Sequence, residues 1–91
     1  MKARNINGTS GHTCHCSSWL KHWEKFSGVT AGMCVEKTCT EKAVVGAHVQ
    51  KEGVLDQSWY ILPLCSAHNN KKGEVIELYN NPPFVSANVS V

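Results

Sequence analysis

Two short pairs of metal-binding residue types stand out in this sequence, Cys34-x4-Cys39 and Cys65-x2-His68. We name them the first and the second knuckle. The first pair can bind an ion from a turn, and one helical turn separates the second pair, so all four side chains can face one ion. Thiolate and imidazole ligands select zinc over magnesium or calcium. The spacing therefore predicts a structural zinc site, and the competing interpretation is three buried cysteines beside a surface histidine.

The first element that could position these residues is an amphipathic helix. Apolar side chains recur there with helical period, at Trp19, Leu20, Trp23 and Phe26. Ser17 or Ser18 can cap its start, and Gly28 can end it. The pattern predicts a helix over residues 17–27, whose aromatic side chains supply much of the core.

The rest of the chain divides by composition. Residues 1–11 are mostly polar and predict a flexible arm. Within the zinc-finger core at 33–72, β-like stretches occur at 42–51 and 59–62. Small apolar and polar residues alternate near the end of 73–91, which predicts a C-terminal strand and tail.

Length and charge limit the functional classes. The 91 residues make a single small domain, 1–91, which needs a metal, disulfides or a partner to supplement its core. Five cysteines cannot all pair within one chain, and no apolar run resembles a signal peptide or membrane span. We therefore expect a cytoplasmic protein with no membrane association, in which the cysteines bind metal. The net charge of +2 permits nucleic-acid binding without demanding it.

Over roughly residues 33–72, the order of motifs resembles the HNH, or His-Me finger, nucleases. A cysteine pair is followed by Gly46-Ala47-His48-Val49, by the apolar stretch Trp59–Cys65, and by His68-Asn69-Asn70-Lys71. Together with the predicted helix, the resemblance implies an α+β fold: a small zinc-stabilised treble clef, or ββα-metal finger, with an N-terminal amphipathic helix. It implies that Cys34, Cys39, Cys65 and His68 hold a structural zinc. It also implies that His48 is the general base that activates water, and that Asn69 binds a catalytic divalent metal.

Two positions depart from the pattern of that family. The residue before the base histidine usually binds the catalytic metal, and here it is Ala47. The asparagine that usually orients the base has no counterpart in Trp59-Tyr60-Ile61-Leu62. Metal-assisted phosphodiester hydrolysis needs a bound cation, and one asparagine makes a poor site for it.

A second group of candidate ligands leaves three interpretations open. Cys14, Cys16, His22 and His48 could together bind a second zinc ion. Alternatively, His22 could complete a catalytic site with His48 and Asn69, replacing the ligand missing at Ala47. In the third interpretation, Cys14 and Cys16 are free thiols and His22 is a partly exposed helix residue.

Two functions follow from these patterns. The first is a zinc-binding, HNH-like module that binds nucleic acid or a protein partner without a full catalytic constellation, and Ala47 favours it. The alternative is an HNH endonuclease that cuts DNA or RNA with magnesium, manganese or nickel, using His48 as base. The small size suggests a phage or mobile element as the source, and the sequence does not determine the oligomeric state.

Overall fold

Five short strands and two helices make up the computed structural model, which describes residues 2–6, 18–53, 55–56, 58–71, 73–79 and 81–87. In chain order the elements are β1 (Lys2–Asn5), α1 (Trp19–Ser27), β2 (Val45–Lys51), β3 (Tyr60–Leu64), α2 (Ser66–Asn69), β4 (Val75–Glu77) and β5 (Val85–Ser86). The strands form one antiparallel sheet in the order β4-β1-β2-β3-β5. The predicted α+β class is therefore confirmed.

Helix α1 confirms an amphipathic helix within the predicted range 17–27, but it begins at Trp19, with Ser18 and Gly28 as its caps. The Ser18 side chain accepts a hydrogen bond from the backbone N–H of Lys21 at 3.1 Å, which satisfies a free amide of the first turn. Gly28 takes a left-handed conformation with φ of 74°, and its N–H donates to the Glu24 carbonyl. The buried side of the helix differs from the expectation, because His22 and Trp23 are buried whereas Phe26 is 62% exposed.

The N-terminal segment corrects an expectation. Residues 1–11 were expected to form a flexible arm, and this is wrong for Lys2–Asn5, which is an interior strand between β2 and β4. The side chains of Ala3 and Asn5 are fully buried. Because alanine and asparagine carry little apolar surface, their alternation with charged residues gives no strand signal. The strand forms through backbone pairing on both sides, and residues 7–11 lie outside the described part of the chain.

The hairpin of β2 and β3 separates two hydrophobic clusters. Alternate side chains of a strand point to opposite faces of a sheet. Ala47, Leu62 and Leu64 pack on one side with Cys34 and Cys65, and we name this the knuckle face. The other side, the helix face, carries α1: His48 pairs there with Ile61, which packs against Trp23. The two knuckles and helix α1 thus lie on opposite faces of the same hairpin.

The C-terminal part contributes strands at both edges of the sheet. Strand β4 pairs with β1, and β5 pairs with β3. Val85 and Ala87 are buried and Ser86 is exposed, which confirms the predicted alternation as far as residue 87. Within the described ranges, no helix has the length and apolar character needed to cross a bilayer.

Candidate metal centre

Cys34, Cys39, Cys65 and His68 come together at one point. Their ligand atoms all lie within 4.8 Å of one another. The Nδ1 atom of His68 is 3.1 Å from the Cys65 sulfur and 3.7 Å from the Cys34 sulfur, and the sulfurs of Cys39 and Cys65 are 3.8 Å apart. All three cysteines are free thiols. These four residues are therefore close enough to hold a metal ion, as their spacing in the sequence predicts.

The first knuckle is a closed loop between α1 and β2. The backbone N–H of Cys34 donates to the Glu41 carbonyl at 2.9 Å, and that of Cys39 donates to the Glu36 carbonyl at 3.2 Å. A backbone hydrogen bond from Val35 to the Pro63 carbonyl, 3.1 Å long, attaches this loop to β3. Local turns thus set the Cys34–Cys39 separation, and the attachment to β3 brings the pair to the second knuckle.

The second knuckle lies where β3 passes into α2. Cys65 is the N-cap of α2, and its sulfur accepts the backbone N–H of His68 at 3.5 Å. The N–H of Asn69 donates to the Cys65 carbonyl at 3.0 Å, which closes the turn. One helical turn therefore places Cys65 and His68 side by side.

The pKa values of Cys34 and Cys65 indicate that ionising all the thiols of the site requires a nearby positive charge. Burial raises the pKa of Cys34 to about 12, so this thiol resists ionisation by itself. At Cys65 burial also opposes the charged form, but the backbone N–H and the imidazole of His68 outweigh it and lower the pKa to about 7. Three adjacent thiolates are stable only beside a cation, and a bound metal ion would supply that charge. Thiols and an imidazole are the donor set that favours zinc-like ions over magnesium or calcium.

His48 and His22 lie away from this cluster, on the helix face. His48 is 6% exposed, and its ring meets that of Trp19 edge-on at a centroid distance of 4.6 Å. His22 is also buried, 4.9 Å from the same Trp19 ring, with its Nε2 atom 2.9 Å from the Ser86 carbonyl oxygen. The structure therefore brings the two predicted histidines to one aromatic side chain.

The remaining predicted site residues are Asn69, Cys14 and Cys16, of which the structure describes only Asn69. Asn69 is the last residue of α2, and its backbone carbonyl accepts a hydrogen bond from the Asn5 side chain at 2.9 Å. Cys14 and Cys16 lie outside the described residues. The second zinc site of Cys14, Cys16, His22 and His48 stays a prediction, and so does the catalytic set of His48, Asn69 and His22.

Two residues near the metal centre were not singled out from the sequence. The Asn5 side chain is fully buried, and its Nδ2 atom lies 2.9–3.3 Å from the backbone carbonyl oxygens of His68, Asn69 and Lys71. Its place in a short polar segment carries no signal of this role. Glu36 lies between the two cysteines of the first knuckle, with its carboxylate 3.4 Å from Nε2 of His68. Its position in the sequence between two predicted metal ligands could have indicated a role beside the metal centre.

No protein-family model, curated protein or solved structure matches this chain.

Proposed function

We propose that this chain is a zinc-stabilised binding module of the treble-clef type that does not cut its partner. In this proposal, Cys34, Cys39, Cys65 and His68 hold one structural zinc ion. The order of first knuckle, hairpin, second knuckle and short helix supports the comparison with the HNH scaffold. Nucleic acid is the partner class that we test first, and the cytoplasm is the expected location.

The burial of His48 is the observation on which the noncatalytic part depends. A general base must reach both the attacking water and the scissile phosphodiester. His48 is only 6% exposed, and it lies in β2 beneath α1 with the Trp19 ring against it. A substrate phosphate could approach this imidazole only if α1 moved away from the sheet.

Ala47 supports the same conclusion from the opposite face of the hairpin. This residue occupies the position where the HNH family usually has a metal ligand. It is 2% exposed and packs in the core with Leu62 and Leu64. A methyl group buried there offers no ligand atom, so a catalytic cation beside His48 would lack this coordinating group.

Zinc would stabilise the fold by joining segments that are distant in the sequence. Its ligands connect the loop before β2 with the end of β3 and α2. Binding to sites of this kind in small zinc fingers contributes about 10–16 kcal/mol at neutral pH. That stabilisation would be large for a 91-residue chain.

Exposed lysines near both knuckles favour nucleic acid as the partner. Lys42 follows the first knuckle and Lys71 follows the second, and both are exposed. Lysines contact backbone phosphates without regard to sequence, so binding should weaken steeply with salt. Replacing Lys42 or Lys71 with Gln should weaken binding and reduce the salt slope by about one each. Lys25→Gln is the matched control, because Lys25 is an exposed lysine on α1.

The decisive experiment combines metal counting, cleavage and binding on the purified chain. We expect tightly bound zinc, unfolding on chelation, and loss of folding in Cys34→Ser and Cys65→Ser. Plasmid DNA and RNA should stay intact with magnesium, manganese or nickel, while labelled duplex or single-stranded probes bind. Cleavage that disappears in His48→Gln would replace this proposal with the endonuclease. A protein that is fully folded without zinc would contradict the structural role of the metal. If none of the nucleic-acid probes bound, the partner class would instead be a protein.

A second metal ion remains a separate outcome of the same measurement. Two zinc ions per chain, with one lost in His48→Gln, would identify His48 as a ligand and would support the predicted second site with Cys14, Cys16 and His22. The module would then be noncatalytic for a stronger reason, because a histidine bound to zinc cannot accept a proton from water.

A further inference from the structure

The carboxylate of Glu36 lies against the far side of the His68 imidazole. Glu36 Oε2 is 3.4 Å from His68 Nε2, which is ion-pair range and slightly longer than an ordinary hydrogen bond. Both side chains are largely buried, with 14% of Glu36 and 20% of His68 exposed. Solvent therefore competes only weakly for this contact.

The orientation of the Glu36 carboxylate is fixed by Thr38. Its Oε1 atom accepts the backbone N–H and the hydroxyl of Thr38, each at 2.7 Å. The same hydroxyl lies 3.1 Å from Oε2. A carboxylate held by these contacts has little rotational freedom, so the approach of its Oε2 atom to His68 is built into the knuckle.

The imidazole of His68 presents its two nitrogens to different partners. Nδ1 faces the sulfurs of Cys65 and Cys34, whereas Nε2 faces Glu36. A neutral imidazole carries its proton on one nitrogen only, and the other nitrogen is then free to bind metal. A carboxylate beside Nε2 favours the proton there and leaves the Nδ1 lone pair directed at the thiols.

We propose that Glu36 is a positioning residue that selects Nδ1 of His68 as the metal-binding atom by holding the Nε2–H tautomer. The inference depends on the proposed metal site. It means that the first knuckle contributes two ligands of its own and also orients the histidine of the second. Thr38 acts indirectly, because it holds the Glu36 carboxylate that orients the His68 ring.

The test compares metal affinity and the His68 tautomer in four forms of the chain. These are the wild type, Glu36→Gln, Thr38→Val, and the control Glu41→Gln, which changes an exposed glutamate two residues beyond Cys39. Competition with a chromophoric zinc chelator gives the affinity, and long-range ¹H–¹⁵N NMR of the zinc-loaded protein gives the tautomer. We expect Glu36→Gln to weaken zinc binding 10- to 100-fold. Thr38→Val should weaken it less, and Glu41→Gln should match the wild type.

The tautomer measurement separates orientation from general stability. In the zinc-loaded wild type and in Glu41→Gln, the spectrum should show the proton on Nε2 and metal on Nδ1. An equal affinity for Glu36→Gln and Glu41→Gln, or zinc on Nε2 of the wild type, would overturn the role of Glu36 and leave the site intact. A wild type that binds no zinc would instead refute the metal site itself. If Glu36→Gln does not fold, Thr38→Val carries the same comparison.

Discussion

Replacing Gly46 with alanine tests whether α1 packs directly on the backbone of β2. A Cβ atom at position 46 would lie 2.4 Å from the carbonyl carbon of Trp19. It would also lie 2.6 Å from both the Trp19 oxygen and the Leu20 nitrogen. Non-bonded carbon atoms prefer separations of about 3.5–4.0 Å, so the start of α1 would have to recede by about 1 Å. The obstacle is helix backbone, which cannot swing aside as the end of a side chain can.

The size of the effect follows from what α1 covers. Overpacking a well-packed interior costs about 1–3 kcal/mol, and we expect the upper end because the clash involves backbone. Moving the helix also loosens the contacts of Trp23 with the helix face. At about 4–8 °C per kcal/mol for a domain of nearly this size, a cost of about 3 kcal/mol lowers Tm by about 12–24 °C.

Thermal unfolding in buffer that contains zinc, followed by circular dichroism and tryptophan fluorescence, measures this loss of stability. Gly32→Ala is the matched control, because a Cβ there meets nothing within 4 Å and the backbone is in an ordinary region. We expect that variant to unfold within about 0.5 kcal/mol of the wild type, as is usual for surface substitutions. If Gly46→Ala also melted within a few degrees of the wild type, the direct contact between α1 and β2 would be refuted, and with it the enclosure of His48.

Substitutions at two further positions, Asn5 and Tyr60, test the knuckle face and the end of the hairpin. Asn5→Asp replaces an amide donor with a carboxylate facing three backbone carbonyls, and leaving a buried charge unpaired should cost more than about 3 kcal/mol. Asn5→Ala, which only removes the donor, should cost about 1–3 kcal/mol, and equal urea midpoints for both variants would contradict this reasoning. At the end of the hairpin, the Tyr60 hydroxyl and the Ser58 backbone N–H both donate hydrogen bonds to the Asp56 carboxylate. These bonds, with the tyrosine's effect the larger, lower the Asp56 pKa from 3.8 to about 2. Because the Asp56 pKa is lower in the folded than in the unfolded state, the ionised carboxylate stabilises the fold fully above about pH 4. This stabilisation is lost as the pH falls towards about 2. NMR titration of Tyr60→Phe should show the Asp56 pKa shifted back towards 3.8, whereas an unchanged titration would exclude the tyrosine as its cause.

The features predicted from the sequence are those that short segments encode. Helix α1 was predicted with both caps, because its apolar period and its serine and glycine ends are local. The cluster of four possible metal ligands was predicted because each knuckle is a chelating pair within a short segment of the chain. Strand β1 was missed since Ala3 and Asn5 are buried by neighbours that lie more than forty residues away in the sequence. Phe26 continues the helical stripe, yet it lies beyond the part of α1 that the sheet covers.

This difference between local and long-range determinants also explains why the metal ligands are easier to predict here than a catalytic role. The residue types of the two knuckles determine which ion they suit, whatever the fold around them. The role of His48 depends instead on whether water and substrate reach it, and that accessibility is set by α1 lying against Gly46 two residues earlier in β2. The position of a histidine on a strand between two chelating pairs fits a general base and a core residue equally well, and only the placement of α1 over that strand distinguishes the two roles. The absence of a side chain at position 46 is therefore as important to the proposed function as the imidazole at position 48, because it lets α1 approach closely enough to enclose that ring.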